Sequence, residues 1–170
     1  MGAIIFFLLL SVPFFSEKDV IMNTILQNIT LPNRIEWDDY HISTALLMSM
    51  RSPCHRLHVG CVLVRDNRLI SAGYNGFLPG AKHHSIVENN HEQATIHAEM
   101  NAMTDCARRG VETKDAIAYI THYPCINCFK SFVACGIKKI IYLHNYMNDV
   151  NIEKIIETMD DKIEIVKLVL

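Results

Sequence analysis

The sequence predicts an α/β domain of three layers (α-β-α), with helices on both faces of a mixed five-stranded sheet. From residue 34 onward, β-rich runs alternate with segments whose apolar residues recur at helical spacing, which is typical of α/β folds. The first two runs are joined by Asp66-Asn67, a pair that suits a tight hairpin turn. Helical segments separate the later runs, so these strands are expected to lie parallel.

Each element is predicted from its own spacing and flanking residues. The predicted helices cover residues 37–50, 95–109, 124–135 and roughly 152–159. The predicted strands cover residues 59–64, 68–72, 116–121, 139–143 and 162–170. In the second helix, apolar residues recur from Ile96 to Ala107 and Gly110 follows the last turn. A helix fills the gap before the fifth strand, so that strand should run parallel to the fourth.

Residues 1–33 are assigned outside the fold, and residues 34–170 are assigned to the domain. Residues 2–15 are almost wholly apolar, but this run is too short to span a bilayer. No Lys or Arg precedes the run, and no clear small-residue cleavage site follows it. The segment is therefore interpreted as a targeting sequence, as a tail packed on the domain, or as the result of a start assigned upstream of a true start at Met22.

Charge and composition favour a small substrate over a polynucleotide. The 170 residues carry a formal net charge of −2, whereas proteins that bind long nucleic acids usually have a basic excess. Six cysteines and nine histidines are present, and five of the histidines lie between His55 and His91. A chain of this length buries a core without disulfides. The close pair Cys125 and Cys128 is therefore interpreted as a pair of metal ligands.

Two short motifs carry the predicted chemistry, and each begins a predicted helix. They are His97-Ala98-Glu99 and Pro124-Cys125-Ile126-Asn127-Cys128. Residues three apart share a helix face, and the positive end of a helix favours thiolates, so both sulfurs can bind one zinc ion. His97 adds a third ligand. Three protein ligands with one open position are typical of catalytic zinc.

Glu99 is the predicted proton shuttle. On a regular helix it would not share a face with His97, so we expect His97 in an irregular first turn and Glu99 just inside the helix. Catalytic zinc lowers the pKa of water to about 7, and a nearby carboxylate can then move protons from that water to a cytosine ring, from which ammonia departs. His-x-Glu followed by Pro-Cys-x-x-Cys is the known pattern of zinc deaminases.

Residues 37–143 resemble the deoxycytidylate deaminase family, which has the cytidine-deaminase-like fold. Four stretches carry the resemblance, at residues 59–64, 73–76, 96–102 and 123–128. The resemblance implies that His97, Cys125 and Cys128 bind zinc and that Glu99 moves the protons. It also implies that Asn75, in Gly-Tyr-Asn-Gly, contacts the substrate near its sugar or base. The implied reaction is hydrolysis of dCMP to dUMP and ammonia, which supplies a precursor of thymidylate.

The same resemblance raises three further expectations. Many family members bind a second, structural zinc ion, for which Cys54, His84 and His91 are candidates, although solvated loop histidines would explain the cluster equally well. The substrate phosphate needs a cation, and the candidates are Arg56, Arg65, Lys82 and Arg108. The side chains at the ends of predicted strands, which either line the pocket or pack, are His122, His144 and Tyr146.

Other functions share these zinc motifs. Deaminases of tRNA adenosine, guanine, riboflavin precursors or free cytidine are alternatives, and so is a non-catalytic zinc module. The Gly-Tyr-Asn-Gly stretch favours dCMP over RNA, and the presence of Glu99 argues against a non-catalytic module. A cytoplasmic protein is predicted for two reasons. The product is a precursor of thymidylate, and reactive thiolates need a reducing compartment. The family implies a homo-oligomer, with a hexamer as one possibility, and no nucleic-acid partner or membrane span is expected.

Overall fold

The computed structural model describes Val20, residues 23–24, residues 34–89 and residues 91–169, apart from the side chain of His91. From residue 34 onward its helices are α1 (Trp37–Ser49), α2 (Ala98–Arg109), α3 (Ile126–Ala134) and α4 (Val150–Glu157). The predicted boundary near residue 33 and the interpretations of residues 1–33 lie almost wholly outside this part of the chain and stay predictions. No helix in the described part is long and apolar enough to cross a membrane.

The strands divide into one large sheet and two short pairs. They are β1 (Gly60–Arg65), β2 (Arg68–Tyr74), β3 (Gly76–Phe77), β4 (Val87–Glu88), β5 (His91–Glu92), β6 (Thr95–Ile96), β7 (Ile117–His122), β8 (Lys139–His144) and β9 (Glu164–Lys167). The large sheet has the order β2-β1-β7-β8-β9, while β3 pairs with β6 and β4 pairs with β5. The predicted five-stranded sheet is confirmed.

The sheet is mixed, as predicted. Strand β1 pairs antiparallel with β2 and β7, whereas β8 pairs parallel with β7 and β9. The β1–β2 hairpin turns through Asp66 and Asn67, whose φ angles are 51° and 56°. Two successive positive φ angles define the turn that best matches the twist of paired strands. Helix α4 lies in the connection between β8 and β9, which allows the parallel pairing.

Side chains alternate between the two faces of the sheet, and each face has its own apolar core. On β1, Cys61 and Leu63 pack in the core that contains residues of α2, α3 and α4, whereas Val62 and Val64 pack in the core with α1. The same alternation runs along β7 and β8. Helix α1 therefore covers one face and the other three helices cover the opposite face. This arrangement confirms the three predicted layers.

Two glycines allow helices to lie directly on the sheet. A Cβ atom at Gly60 would overlap the backbone carbonyl oxygen of Ala45 in α1. A Cβ atom at Gly73 would overlap the carbonyl oxygen of Ala98 and lie 2.6 Å from the amide nitrogen of Ala102, both in α2. Only glycine fits so close to another backbone. Gly73 therefore fixes the distance between β2 and the first turn of α2.

Helix α2 begins later than predicted. Residues 95 and 96 form β6, which pairs antiparallel with β3, so the helix starts at Ala98 and not at residue 95. His97 lies between these elements with extended backbone (φ −66°, ψ 150°). His97 was expected in an irregular first turn, but it precedes the helix as its capping residue; Glu99 lies just inside the helix, as expected.

Helix α3 also begins later than predicted. Its first residue is Ile126, so Pro124 lies outside the helix and does not occupy its first position. Cys125 precedes the helix with extended backbone (φ −70°, ψ 160°). Cys128 lies in the first turn. The two cysteines are thus placed on either side of the helix start.

Candidate active site

Three side chains with metal-binding atoms converge between the starts of α2 and α3. His97 Nδ1 lies 3.6 Å from Cys125 Sγ and 3.5 Å from Cys128 Sγ. All three ligand atoms lie within 4.8 Å of one another. Cys128 is buried and His97 is half-buried. The structure therefore brings together the three residues predicted to bind zinc.

The distances within this trio fit a tetrahedral zinc ion. Zinc bonds of about 2.3 Å to sulfur and about 2.0 Å to nitrogen, at a tetrahedral angle, place those two atoms about 3.5 Å apart. Both measured nitrogen–sulfur distances match this value. Among the described side chains, the group contains three ligands, which leaves one tetrahedral position for water. One imidazole and two thiolates are also a donor set that suits zinc.

The electrostatics of the trio favour a thiolate. The Cys128 thiol donates a hydrogen bond to Cys125, and together with the His97 ring this bond lowers the pKa of Cys125 to about 3. The hydrogen bond with Cys125 raises the pKa of His97. Both cysteines lie at the start of α3, where the helix dipole stabilises negative charge. The same hydrogen bond raises the pKa of Cys128, so one of the two sulfurs is favoured as a thiolate before a metal binds.

Glu99 is a buried carboxylate beside this trio. It is the second residue of α2 and is only 4% exposed. Burial raises the pKa of Glu99, while the backbone amide at its own position and the charge of His97 act in the opposite direction. The side chain lines the same pocket as His97 and Cys125. A carboxyl group with a raised pKa is suited to accept and return protons near neutral pH.

Asn75 braces the wall of this pocket. Its side-chain amide donates to the carbonyl oxygen of Leu57 over 2.8 Å, and its side-chain oxygen accepts from the amide of Val59 over 2.8 Å. Its backbone carbonyl accepts a hydrogen bond from Ser52 Oγ over 2.8 Å. Asn75 is 6% exposed and lines the pocket. These bonds fix the segment before β1, and they use one of the two donors of the Asn75 amide.

The ends of β7 and β8 supply further residues to the pocket. Of the strand-end side chains that could either line the pocket or pack, His122 and Tyr146 line it, together with Tyr123. His144 lies beside His122, with ring centroids 5.1 Å apart, but it does not line this pocket. Sequence reasoning missed Thr121, whose Oγ1 accepts from the amide of Gly60 and lies 2.9 Å from His122 Nδ1. Its only sequence signal was its position, one residue before a candidate histidine.

The four cations predicted for the substrate phosphate lie in different parts of the molecule. Arg56 lines the pocket. Arg65 pairs with Glu112 at 3.2 Å, and Arg108 pairs with Asp105 at 3.5 Å, and neither arginine lines the pocket. Lys82 is exposed and lies outside the pocket wall. Arg56 is therefore the only one of these four candidates that lines the pocket.

The predicted second metal site is only partly described. Cys54 is buried and lines the pocket, while His84 is exposed. The side chain of His91 lies outside the described residues, so the proposed set of Cys54, His84 and His91 stays a prediction. Glu92, next to His91, instead accepts hydrogen bonds from Ser85 Oγ and from the backbone amides of residues 86 and 94. These bonds hold the two sides of the loop together.

Comparisons with known proteins place the chain in a family. Residues 35–144 match the family described as the cytidine and deoxycytidylate deaminase zinc-binding region. The ComE operon protein 2 of Bacillus subtilis is 40% identical over 139 residues, which cover 79% of this chain and 74% of that protein. The deoxycytidylate deaminase of Mycobacterium phage D29 is 34% identical over 125 residues, covering 65% of this chain and 96% of the phage protein.

Coverage of other relatives is smaller, while a solved structure is matched along its whole length. The chain spans 41% of the Schizosaccharomyces pombe deoxycytidylate deaminase, at 37% identity and with 69% of this chain aligned. The dCMP deaminase of cyanophage S-TIM5, solved with dCMP and dUMP, superposes with a TM-score of 0.69 at 26% identity, covering 80% of this chain and 99% of the phage chain. The chain belongs to the zinc-binding cytidine and deoxycytidylate deaminase family.

Proposed function

We propose that this protein is a zinc-dependent deaminase that hydrolyses dCMP to dUMP and ammonia. The observation that carries the proposal is the convergence of His97, Cys125 and Cys128 beside the buried carboxylate of Glu99. The choice of dCMP is supported by relatives that are named deoxycytidylate deaminases and by the phage structure with dCMP and dUMP.

In the proposed reaction, the three ligands hold zinc and Glu99 moves the protons. When bound, zinc supplies the Lewis acidity that makes water a nucleophile at neutral pH. Water adds to C4 of the cytosine ring, and Glu99 takes one proton from that water and passes it to N3. Glu99 then delivers the second proton to the amino group. The C4–N bond breaks, ammonia leaves, and the carbonyl of uracil remains.

The surrounding wall positions the base. Leu57 and Val59 line the pocket on the side that Asn75 braces. The second N–H of the Asn75 amide is available for a contact with the sugar or base, which is the role proposed for this residue. Apolar walls with a few placed polar groups are typical of small-molecule sites and exclude bulk water from the reacting centre.

The proposed activity is tested by ammonia release from dCMP, CMP, deoxycytidine and dCTP, each supplied alone to the zinc-loaded protein. We expect turnover of dCMP, with Glu99→Ala as the blank. Turnover of a different amino-bearing base, with dCMP inert, would contradict the substrate assignment while leaving the site intact. No turnover of any base by a zinc-loaded, folded protein would favour the non-catalytic zinc module.

We also propose a homo-oligomer that works in the cytoplasm on a free nucleotide, with no polynucleotide partner. Helix α1 and the residue that follows it expose apolar side chains that are 41–62% exposed and supply area for contact between copies, namely Trp37, Tyr40, Leu47 and Met50. Thiolate zinc ligands suit a reducing compartment. Light scattering coupled to gel filtration tests the assembly, and a monomeric mass at micromolar concentration would contradict it.

A further inference from the structure

Asn101 lies one turn beyond His97 in α2 and has no role in the proposed reaction so far. It is half-buried and does not line the catalytic pocket. Its side-chain amide donates a hydrogen bond to the backbone carbonyl oxygen of Tyr74 over 2.9 Å. Tyr74 is the last residue of β2 and directly precedes Asn75. The side chain of Asn101 therefore joins α2 to the strand end that carries a residue of the pocket.

The backbone of Asn101 is bound to His97 itself. Its amide donates to the carbonyl oxygen of His97 over 2.8 Å, which is the bond that a capping residue accepts to close the first turn of a helix. One residue thus contacts two backbone segments of the site. It binds His97 through its own amide and Tyr74 through its side chain.

A second link joins the same two segments on the other side of Asn75. Gly76 pairs with Ile96 in the β3–β6 ladder. Gly76 follows Asn75, and Ile96 precedes His97. Asn75 and His97 both line the pocket, and each lies between the two links. We call the bond from Asn101 the side-chain link and the β3–β6 pairing the backbone link.

The two links set the position of Asn75 relative to α2. Asn75 is also bound to Leu57 and Val59, but these residues belong to the wall segment that Asn75 braces, so they do not tie it to the helix. The backbone link has two residues on each strand, and isolated two-stranded pairs are only marginally stable. The side-chain link therefore supplies the second restraint that a strand end next to the site needs.

Another tie between β2 and α2 lies farther from the pocket. Ser71 Oγ donates to the carbonyl oxygen of Ala102 over 2.8 Å and lies 2.9 Å from a carboxylate oxygen of Asp105. Ser71 is four residues before Asn75, is buried, and does not line the pocket. It docks the same helix on the same strand without contacting the strand end. Ser71 can therefore separate the packing of α2 from the placement of Asn75.

We propose that Asn101 is a positioning residue whose side chain holds Tyr74 so that Asn75 keeps a fixed place relative to His97 and Glu99. The inference rests on the proposed function, because it assumes that a nucleotide occupies the pocket. An amide suits this task, since it donates to a carbonyl oxygen without adding charge near the metal-binding trio. An aspartate of the same shape would turn a carboxylate oxygen toward the carbonyl of Tyr74 and repel it.

The test measures dUMP binding to the zinc-loaded full chain by calorimetry. The single variants are Asn101→Ala, Asn101→Asp, Ser71→Ala and Asn75→Ala, and the double variant combines Asn101→Ala with Asn75→Ala. Ser71→Ala is the matched control, because it also removes a bond between β2 and α2. Zinc content, urea unfolding, and KM and kcat for dCMP are measured for each protein.

We expect Asn101→Ala to weaken dUMP binding and to raise KM for dCMP by about three- to tenfold, the equivalent of one hydrogen bond. Its zinc content should not change, because the backbone bond to His97 remains. Asn101→Asp keeps the size of the side chain and should weaken dUMP binding at least as much. Ser71→Ala should lower the free energy of unfolding and leave dUMP affinity unchanged.

The double variant tests whether Asn101 acts through Asn75. If it does, the double variant should bind dUMP as Asn75→Ala does, because no side chain is left to position. Additive losses would overturn the inference. Equal losses of affinity in Ser71→Ala and Asn101→Ala would also overturn it, since they indicate a general effect of docking α2 on β2. So would normal dUMP binding by a folded Asn101→Ala or Asn101→Asp.

The wild-type protein separates this inference from the proposed function. If wild type turns over dCMP while Asn101→Ala binds dUMP normally, only the positioning role falls. If wild type neither turns over dCMP nor binds dUMP, the proposed function fails and the positioning role fails with it.

Discussion

The starts of α2 and α3 differ from the start of α4 in what their capping residues do. Asp149 caps α4 by accepting a hydrogen bond from the amide of Asn151 over 2.9 Å. The cap residues of α2 and α3 are His97 and Cys125, and neither makes a side-chain capping bond. Their side chains converge on each other instead. At the site, the positions that normally stabilise a helix are occupied by metal-binding groups.

The site is therefore built at a cost in local stability. A good capping residue is worth about 0.5–2 kcal/mol compared with a residue that cannot cap. Helix α1 also starts without a side-chain capping bond, at Glu36, so a missing cap alone does not mark a site. The informative feature is a metal-binding residue at a cap position on two neighbouring helices.

Replacing a ligand with a capping residue should reverse the trade-off at α3. Cys125→Ser removes a thiolate and introduces a residue that caps helices well. We expect dCMP turnover to fall to the background rate. The metal-free variant should be more stable than metal-free wild type by about 0.5–1 kcal/mol. Urea unfolding in the presence of a chelator measures the second effect. A less stable metal-free variant would contradict the proposed role of this position.

Glu99→Gln should separate chemistry from metal binding at the start of α2. The amide keeps the size of the side chain but cannot take a proton from water. We expect kcat to fall by about 10²- to 10⁴-fold, the usual contribution of general acid–base catalysis. Zinc content and thermal stability should stay close to those of wild type. The proton-shuttle role would be refuted by turnover within about threefold of wild type.

Gly73→Ala should displace α2 without touching a ligand. The new methyl group would overlap backbone atoms of α2, so the helix must move away from β2. Misplacement of catalytic groups by about 1 Å can cost about 100-fold in rate, and overpacking costs about 1–3 kcal/mol of stability. Timed assays of dCMP turnover measure the loss of rate, and urea unfolding measures the loss of stability.

Gly60→Ala is the matched control for that variant. It creates the same kind of overlap, but against α1 on the opposite face of the sheet. We expect a comparable loss of stability with a smaller loss of kcat in the folded fraction. Equal losses of kcat in the two variants would show that the closeness of α2 to β2 has no special role in the site.

His41→Phe should stabilise the face of the sheet that α1 covers. His41 is 1% exposed, and neither ring nitrogen has a hydrogen-bond partner among the described residues. Its ring stacks on Trp37, a contact that phenylalanine can keep. Removing unsatisfied buried polar atoms should add about 1 kcal/mol to the free energy of unfolding. A destabilised variant would show that His41 has a partner elsewhere in the chain.

The same variant tests a pH effect. Burial lowers the pKa of His41 despite the nearby negative charge of Asp38. The unfolded state therefore binds a proton at a higher pH than the folded state does, so wild type should lose stability as pH falls below about 6.5. His41→Phe should reduce that loss. Urea unfolding at pH 7.5 and pH 5.5 measures the difference, and identical pH dependence in both proteins would contradict it.

Asp149→Ala should have the smallest effect and completes the comparison. Loss of the α4 cap should lower the free energy of unfolding by about 1 kcal/mol. Asp149 does not line the catalytic pocket, so kcat and KM for dCMP should not change. Asp149→Asn, which can still cap, serves as the control. A change in kcat would show that the stability of α4 affects the catalytic site.

The sequence was sufficient to predict the five-stranded sheet and the order of helices and strands along the chain. It was also sufficient to predict that the three metal-binding side chains lie together with Glu99. Apolar alternation on β1 and the two motifs are local patterns, so they can be read directly from neighbouring residues. The starts of α2 and α3 were placed too early. Residues 95 and 96 pair with β3, about 20 residues earlier in the chain, and such a distant pairing leaves no local signal.

Residues that belong to the site through tertiary packing were also missed. Thr121 contributes through its hydrogen bond with the amide of Gly60, which lies 61 residues earlier in the chain. The two hydrogen bonds by which Asn75 braces the segment before β1 are likewise a product of the fold, since its sequence context indicates only a turn.

The most direct test of the central claim is the zinc content of the purified protein, measured together with dCMP turnover in wild type and Cys128→Ala. Cys128 is chosen because it lies inside the first turn of α3 and is not the capping residue. The account predicts that the variant loses one zinc ion per chain relative to wild type and loses turnover with it. Unchanged zinc content in Cys128→Ala, or full dCMP turnover by zinc-free wild type, would contradict the account.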